Sequence, residues 1–436
     1  MSTVIAELDV AEIKPEAPHR PPALTRWMVL IASGAFAFTM SQPSSVLRLP
    51  FQHFLKSDLH VSRAAMASFF ALGAIAWYLK PLAGILSDSV PLFGTRRRYY
   101  LILSSAAAGA IYLLLGVVPR TYTALLIAVI ALNVMLVLMS AVIGGIMVEV
   151  GQRDEATGRL TSVFYFVQNA CILIGGPLGG YLAAKAFGFT AAAGALISLS
   201  VIPFAWWFLR ESPTARKSTA AWTNAKAEFR TLLGSGALWG AAGLVFLFYV
   251  IPGFNTPLYY HQTDTLKLSQ QFIGTLIMLA GGFGLLSSLV YNFLCRRLTL
   301  RWLLGVTIVA SSLGALSYLF YHSGTAAAVI ESENGFLSTL AVLALIDLAL
   351  RATPRGSEGL GFALMMSVQN GATALSDIAG SWLIDHHYVT FFNLVWLNAA
   401  TTALVLVAIP FLPRLLIDRA DGTAAPVFPT ENGERE

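Results

Sequence analysis

The residues in this sequence that could do chemistry are a few charged and amide side chains set in or beside long apolar runs. The densest group reads Trp77-Tyr-Leu-Lys80-Pro81-Leu-Ala-Gly84-Ile-Leu-Ser87-Asp88-Ser-Val-Pro91-Leu-Phe-Gly94-Thr-Arg96-Arg97-Arg98. Asp88 closes an apolar run, where a carboxylate can accept backbone N–H groups or pair with Arg96, Arg97 or Arg98. Opposed charges at helix ends form a two-state latch, which makes these four residues gating candidates. The three arginines could instead only mark the cytoplasmic side of a membrane. Glu149 and Arg153 end a later run, and Asp347 and Arg351 end another, each pair four residues apart. That spacing suits pairing along a helix or latching to a neighbour better than contact with a ligand.

Two ionisable residues lie deeper in apolar sequence. Lys80 needs an anionic partner or a water-filled cavity. It could be the counter-ion of an anionic solute, or pair with Asp88 or with an acid on a late helix. Asp377, in Ala-Leu-Ser-Asp-Ile-Ala-Gly, reads as a lone carboxyl. An apolar setting favours the neutral form of such a group and suits it to proton coupling, unless it lies solvated and idle at an outer mouth. Gln168, Asn169, Gln369 and Asn370 sit mid-run, and Asn133 sits in a further run. Their amides could bind a polar solute or hydrogen-bond helix to helix. No nucleophile–base pair or metal cluster accompanies them, so no enzyme, metal or cofactor is expected. The run Gly175-Gly176-Pro177-Leu178-Gly179-Gly180 lacks the Lys of a phosphate loop and reads as close helix packing with a kink.

The elements that must position these residues are membrane helices. The chain has 436 residues, 56% hydrophobic and 12% charged, against about 25% charged in soluble domains. Mean hydropathy is +0.68. The net charge of +5 sits in short clusters between apolar runs, which excludes a nucleic-acid surface and sets membrane orientation. Twelve runs are long enough to span about 30 Å. They lie near 26–46, 63–86, 99–118, 122–149, 159–184, 188–209, 236–254, 271–294, 302–321, 336–351, 359–384 and 389–413. The termini and the loops after even-numbered runs hold 21 Lys and Arg residues, against six after odd-numbered runs. Both termini are therefore expected in the cytoplasm of an inner or plasma membrane protein. The expected organisation is a disordered tail (1–24), a six-helix bundle (25–210), a cytoplasmic connection (211–235), a second six-helix bundle (236–414) and a tail (415–436).

The halves repeat. Val167-Gln168-Asn169 recurs as Val368-Gln369-Asn370, and Gly158, Gly179 and Leu182 match Gly359, Gly380 and Leu383, all at an offset of 201. Pro50, Leu59 and Ser62 match Pro257, Leu266 and Ser269 at an offset of 207. A duplicated six-helix unit, related by a pseudo-two-fold with a solute path between its copies, is the major facilitator plan.

Trp77, Lys80, Pro81, Gly84, Ser87, Asp88, Pro91, Gly94, Arg96 and Arg97 together resemble the signature of the folate–biopterin transporter family. Pro354-Arg355-Gly356-Ser357-Glu358-Gly359, Leu258-Tyr259-Tyr260 with Phe272-Ile273-Gly274, and more weakly Phe54 to Leu59, are similar to further stretches of it. The resemblance implies an all-α transporter moving a folate- or pterin-like anion with protons. Lys80, Asn133 and the four mid-run amides would then face the solute, since a pterin edge alternates donors and acceptors. The expected partners are that solute, protons and the lipid bilayer, with the chain a monomer. Two alternatives stay open: a facilitator of another organic solute, and a membrane assembly factor for pigments or subunits that transports nothing.

Overall fold

A computed structural model describes residues 22–43, 47–117, 121–154, 157–210, 220–354 and 358–418. The two expected tails therefore lie almost wholly outside the described residues, as does the segment 355–357. Within the described residues the chain is helical, and its helices assemble into twelve spans. α1 (Pro22–Ser41) and α2 (Arg48–Ser57) form the first. α3 (Arg63–Gly73), α4 (Ile75–Tyr78) and α5 (Lys80–Ser89) form the second. α6 (Arg98–Leu115), α7 (Tyr122–Arg153) and α8 (Thr157–Ala183) are the next three, and α9 (Phe187–Leu199) with α10 (Ile202–Phe208) is the sixth. α11 (Ala220–Leu233) lies in the central connection. α12 (Gly236–Tyr249), α13 (Asn255–Tyr260) and a π-helical turn at His261–Thr265 form the seventh span. α14 (Gln270–Leu294), α15 (Leu300–Ser317), α16 (Gly324–Ala352) and α17 (Glu358–Asp385) are the eighth to eleventh. α18 (Phe391–Leu404) and the tight turns Val405–Phe411 form the twelfth, followed by the short α19 (Arg414–Ile417).

Nine of the described helical segments are by themselves long and apolar enough to cross a membrane. The second and seventh spans fall short because they are broken, and the eleventh because it carries Gln369, Asn370 and Asp377. Each half has its own buried core, centred on Leu30, Phe69, Tyr112 and Leu132 in the first and on Leu238, Leu304, Leu348 and Met365 in the second. The halves meet where α8 packs on α14 and α3 on α17. The first contact depends on glycine. A Cβ on Gly176 would fall 2.9 Å from the Met278 backbone nitrogen, and one on Gly274 would fall 3.0 Å from the Gly176 carbonyl carbon. The glycine-rich run read as close packing is therefore where the two halves touch backbone to backbone.

Two span boundaries differ from the sequence reading. The first span does not end near residue 46 but resumes as α2, so Arg48 and Lys56 are helical residues rather than loop residues. The tenth starts at Gly324 rather than near 336. Glu331, Glu333 and Asn334 dilute the hydropathy of its first turns, although the helix passes straight through them.

Candidate functional site

The first and seventh spans break at equivalent points, related by the offset of 207. The gap after Ser41 in one and after Tyr249 in the other leaves carbonyls without helical partners. Neighbouring side chains satisfy them. The Tyr112 hydroxyl donates to the Ser41 carbonyl. In the seventh span Ser376 donates to the Ile251 carbonyl, and the Asn398 amide donates to the Pro252 carbonyl at 3.0 Å. Pro50 and Pro257 each stand third in the helix that resumes, where a missing N–H costs nothing. Unwound backbone at membrane depth is tolerated where it is buried in protein or lines a cavity.

Here it lines a cavity. About 400 Å³ opens between the halves, bounded by both resumed helices and by the second and eleventh spans. Its polar groups are Gln42, Arg48, Asn255, Asn370 and Asp377, and its aromatic wall is Phe70, Trp77 and Tyr78. Asp377 is only 7% exposed and is not a lone carboxyl. It accepts from the Thr256 N–H at 2.8 Å and from the Thr256 hydroxyl at 2.7 Å, which caps α13. Arg48 reaches it from the other half at 3.4 Å while its guanidinium lies 4.9 Å from the Phe70 ring centre. Arg48 and Asn255 also line a second cavity of about 280 Å³ on the other side of the seventh span, with Gln52, Tyr259, Gln262 and Glu331.

The other predicted residues are placed unevenly. Of the four mid-helix amides only Asn370 lines the larger cavity; Gln168, Asn169 and Gln369 lie outside both cavity linings. Asn133 is occupied: it accepts from the Trp77 indole N–H at 2.8 Å and donates to the carbonyls of Gly73 (2.9 Å) and Val129 (3.1 Å). It thus props the break in the second span and holds Trp77 against the cavity. Lys80 is in neither cavity lining; its ammonium lies 5.6 Å from the Trp77 ring centre, which is a cation–π contact. The Asp88 side chain lies outside the described residues.

The latch residues also sort differently from their spacing. Asp347 and Arg351 pair as expected, at 2.7 and 2.9 Å, with the Tyr291 hydroxyl donating to the same carboxylate at 3.3 Å. Glu149 does not pair with Arg153. It takes Arg97 at 3.1 Å, because the end of α7 abuts the arginine loop. Arg153 forks onto Asp154 at 2.8 and 3.2 Å, and that bond holds the Asp154 carboxyl below its ordinary range. Arg98 donates to the Trp206 carbonyl at 3.1 Å and lies over its ring. Arg96 is exposed at the same end. These three ion pairs each stay within one half. Besides the Arg48–Asp377 pair in the cavity, the described pairs that cross between halves lie at the opposite end: Lys56 with Asp264, and Arg63 with Asp385 at 3.3 Å. The Asp385 carboxylate also caps the Ala64 N–H at 2.8 Å, and Tyr260 donates to the Val61 carbonyl. Sequence reading missed this clasp because its members sit between apolar runs and look like ordinary loop charges.

Comparison with known proteins extends this picture. Residues 43–424 match the BT1 family. A folate-biopterin transporter of Synechocystis sp. is 27% identical over 396 residues, covering 84% of this chain and 78% of that protein. Folate transporter 1 of Plasmodium falciparum is 22% identical over 84% of this chain and 75% of its own length. Among solved structures, a D-xylose–proton symporter superposes with a TM-score of 0.68 at 14% identity, over 90% of this chain and 98% of its own. The nucleoside transporter NupG gives 0.66 at 13% identity, over 90% and 99%. At that identity the structural likeness shows the fold: two six-helix bundles of the major facilitator type. The chain therefore belongs to the BT1 family and is a multi-pass membrane transporter of small organic solutes.

Proposed function

We propose that the chain moves a folate- or pterin-like anion by alternating access, coupled to protons, with the larger cavity as its solute site. The cavity's composition carries this reading. Three carboxamides (Gln42, Asn255 and Asn370) face three aromatic side chains, with one guanidinium and one carboxylate between them. A flat heteroaromatic ring can stack on the aromatic wall, its edge can pair with amides that both donate and accept, and a carboxylate tail can take the guanidinium. The volume falls within the usual range for small-molecule sites, about 300–1,000 Å³. The printed names of the two relatives point to the same cargo.

Arg48 takes the counter-ion role here, because it lines the cavity while Lys80 does not. Asp377 supplies the carboxylate in the cavity lining. Asp88, Arg96, Arg97, Arg98, Glu149, Arg153, Asp347 and Arg351 serve as a latch at the cytoplasmic end, opposite the clasp of Lys56, Arg63, Asp264 and Asp385. The asymmetry of basic residues puts the termini and the 210–235 connection in the cytoplasm, so the clasped end is the outer one. Impermeant thiol labelling of intact cells at position 226 checks this orientation.

A thermal-shift panel on the purified protein tests the solute class. Folates and pterins at 100-fold their Kd should each stabilise the protein by about 2.7 kcal/mol, and unrelated organic anions should not. A shift from the unrelated anions alone would assign a different cargo.

A further inference from the structure

The smaller cavity holds an acid that the account so far does not use. Glu331 lies inside α16 with its carboxyl turned into that space. The Tyr321 hydroxyl donates to one oxygen at 3.0 Å and the Tyr318 hydroxyl to the other at 3.4 Å. Gln262, on the same cavity wall, donates to the Tyr321 hydroxyl at 2.7 Å. His261 bonds the Tyr321 carbonyl at 3.2 Å. The titratable groups around Glu331 are thus Tyr318 and Tyr321 from the end of the ninth span, Tyr259 and His261 from the seventh, Glu333 on its own helix, and Arg48 across the cavity. Among the described residues no Lys, Arg or His nitrogen makes an ion pair with it. Arg48 lines both cavities and at present is paired with Asp377.

We propose that Glu331 binds the transported proton, and that Arg48 passes between Asp377 and Glu331 as the carrier changes state. This rests on the proton-coupled reading above and adds a site to it. With Arg48 on Asp377, as in this structure, Glu331 is a buried carboxyl without a cation. A charge in that setting is costly, so the group takes a proton. When Arg48 turns to Glu331, the guanidinium displaces that proton, which leaves through the smaller cavity. Asp377 keeps its capping bonds to Thr256 meanwhile. One proton is bound in the first state and released in the second. A solute carboxylate that holds Arg48 keeps it from Glu331, so solute and proton ride together, and release of the solute frees Arg48 to displace the proton. Tyr318, Tyr321 and Gln262 position the acid and do not themselves carry the proton.

The first test needs no solute. Full-length protein in lipid nanodiscs is titrated while its infrared spectrum is recorded. A protonated-carboxyl C=O band that disappears with rising pH is expected in the wild type, is expected to disappear at lower pH in Asp377→Asn, where Arg48 is free for Glu331, and is expected to be missing in Glu331→Gln. Tyr321→Phe removes a donor that favours the ionised form, so the band should persist to higher pH. An unchanged band in Glu331→Gln overturns the proposal. If that variant does not fold, an unmoved titration in Tyr321→Phe overturns it instead.

The second test uses proteoliposomes with folate as probe. Glu331→Gln should keep folate counterflow, which needs no net proton movement, and lose at least tenfold of the accumulation driven by a pH gradient. Loss of both in equal proportion would make Glu331 structural and overturn the proposal. Absence of folate counterflow in the wild type would remove the solute assignment, while the infrared result would still decide the role of Glu331.

Discussion

Gly274→Val is expected to abolish most transport while leaving the protein folded and in the membrane. Gly274 and Gly176 let α14 and α8 touch backbone to backbone near the clasped end, and a Cβ at 274 would come within 3.1 Å of the Gly180 Cα as well. Only backbone lies in the way, so no side chain can rotate aside. Overpacking of this kind costs about 1–3 kcal/mol. On the proposed alternating-access cycle it falls on the clasped state alone, because the two helices would part when the clasped end opens. A penalty that size shifts a two-state balance by roughly 5- to 150-fold. Turnover should fall by a similar factor, since the carrier must pass through the clasped state in each cycle. A reporter thiol at position 370, in the larger cavity, should become reactive from outside in the variant. The background would lack the native cysteines, Cys171 and Cys295, both buried. A Lys226→Cys reporter should stay protected in both forms, because the proposed orientation puts its loop in the cytoplasm. Unchanged turnover, or no gain in reactivity at position 370, contradicts the assigned interface.

Arg48→Met should weaken folate binding roughly 10- to 100-fold, since hydrogen bonds to charged groups contribute about 1.5–3 kcal/mol and about 1.4 kcal/mol is tenfold in affinity. A neutral pterin without the glutamate tail should lose much less, because it makes no use of the guanidinium. The variant also leaves Asp377 without its cation in a buried setting, which costs stability and repels an anion. Asp377→Asn in the same chain relieves both effects, so the double variant should bind folate better than Arg48→Met alone. That non-additivity is the signature of a shared network. Lys80→Met should discriminate between the two ligands far less, since Lys80 is not among the residues that line the cavity. Equal losses of folate and pterin in Arg48→Met would remove Arg48 from the solute site.

Much of the architecture was legible in the sequence because apolar length answers directly to the bilayer. The repeat was legible too, through Val167-Gln168-Asn169 and its copy. The site was much less so, and the losses have physical causes. Arg48 sits seven residues past the end of α1, where a charge ordinarily means a loop. Its helix resumes only because Tyr112, from another span, satisfies the carbonyl freed by the break. The seventh span breaks likewise, and its partners Ser376, Asp377 and Asn398 are more than a hundred residues away. One signal could have found both. Pro50 and Pro257 correspond in the repeat, and a proline near the start of a short segment at matching points in two halves marks a broken helix. Glu331 was hidden by hydropathy, because two glutamates and an asparagine pushed the start of the tenth span twelve residues too far along. For Glu149 the spacing left pairing along the helix and latching to a neighbour both open, because the approach of Arg97 from another helix is not visible in sequence.

The central claim is that the chain carries a folate-like anion through the cavity between its halves. Folate counterflow into proteoliposomes tests it most directly. Vesicles holding purified wild-type protein and loaded with unlabelled folate should accumulate labelled folate transiently above equilibrium. External pterin should compete, and an unrelated organic anion should not. Accumulation no greater than in protein-free vesicles, with the protein shown to be folded, would contradict the account.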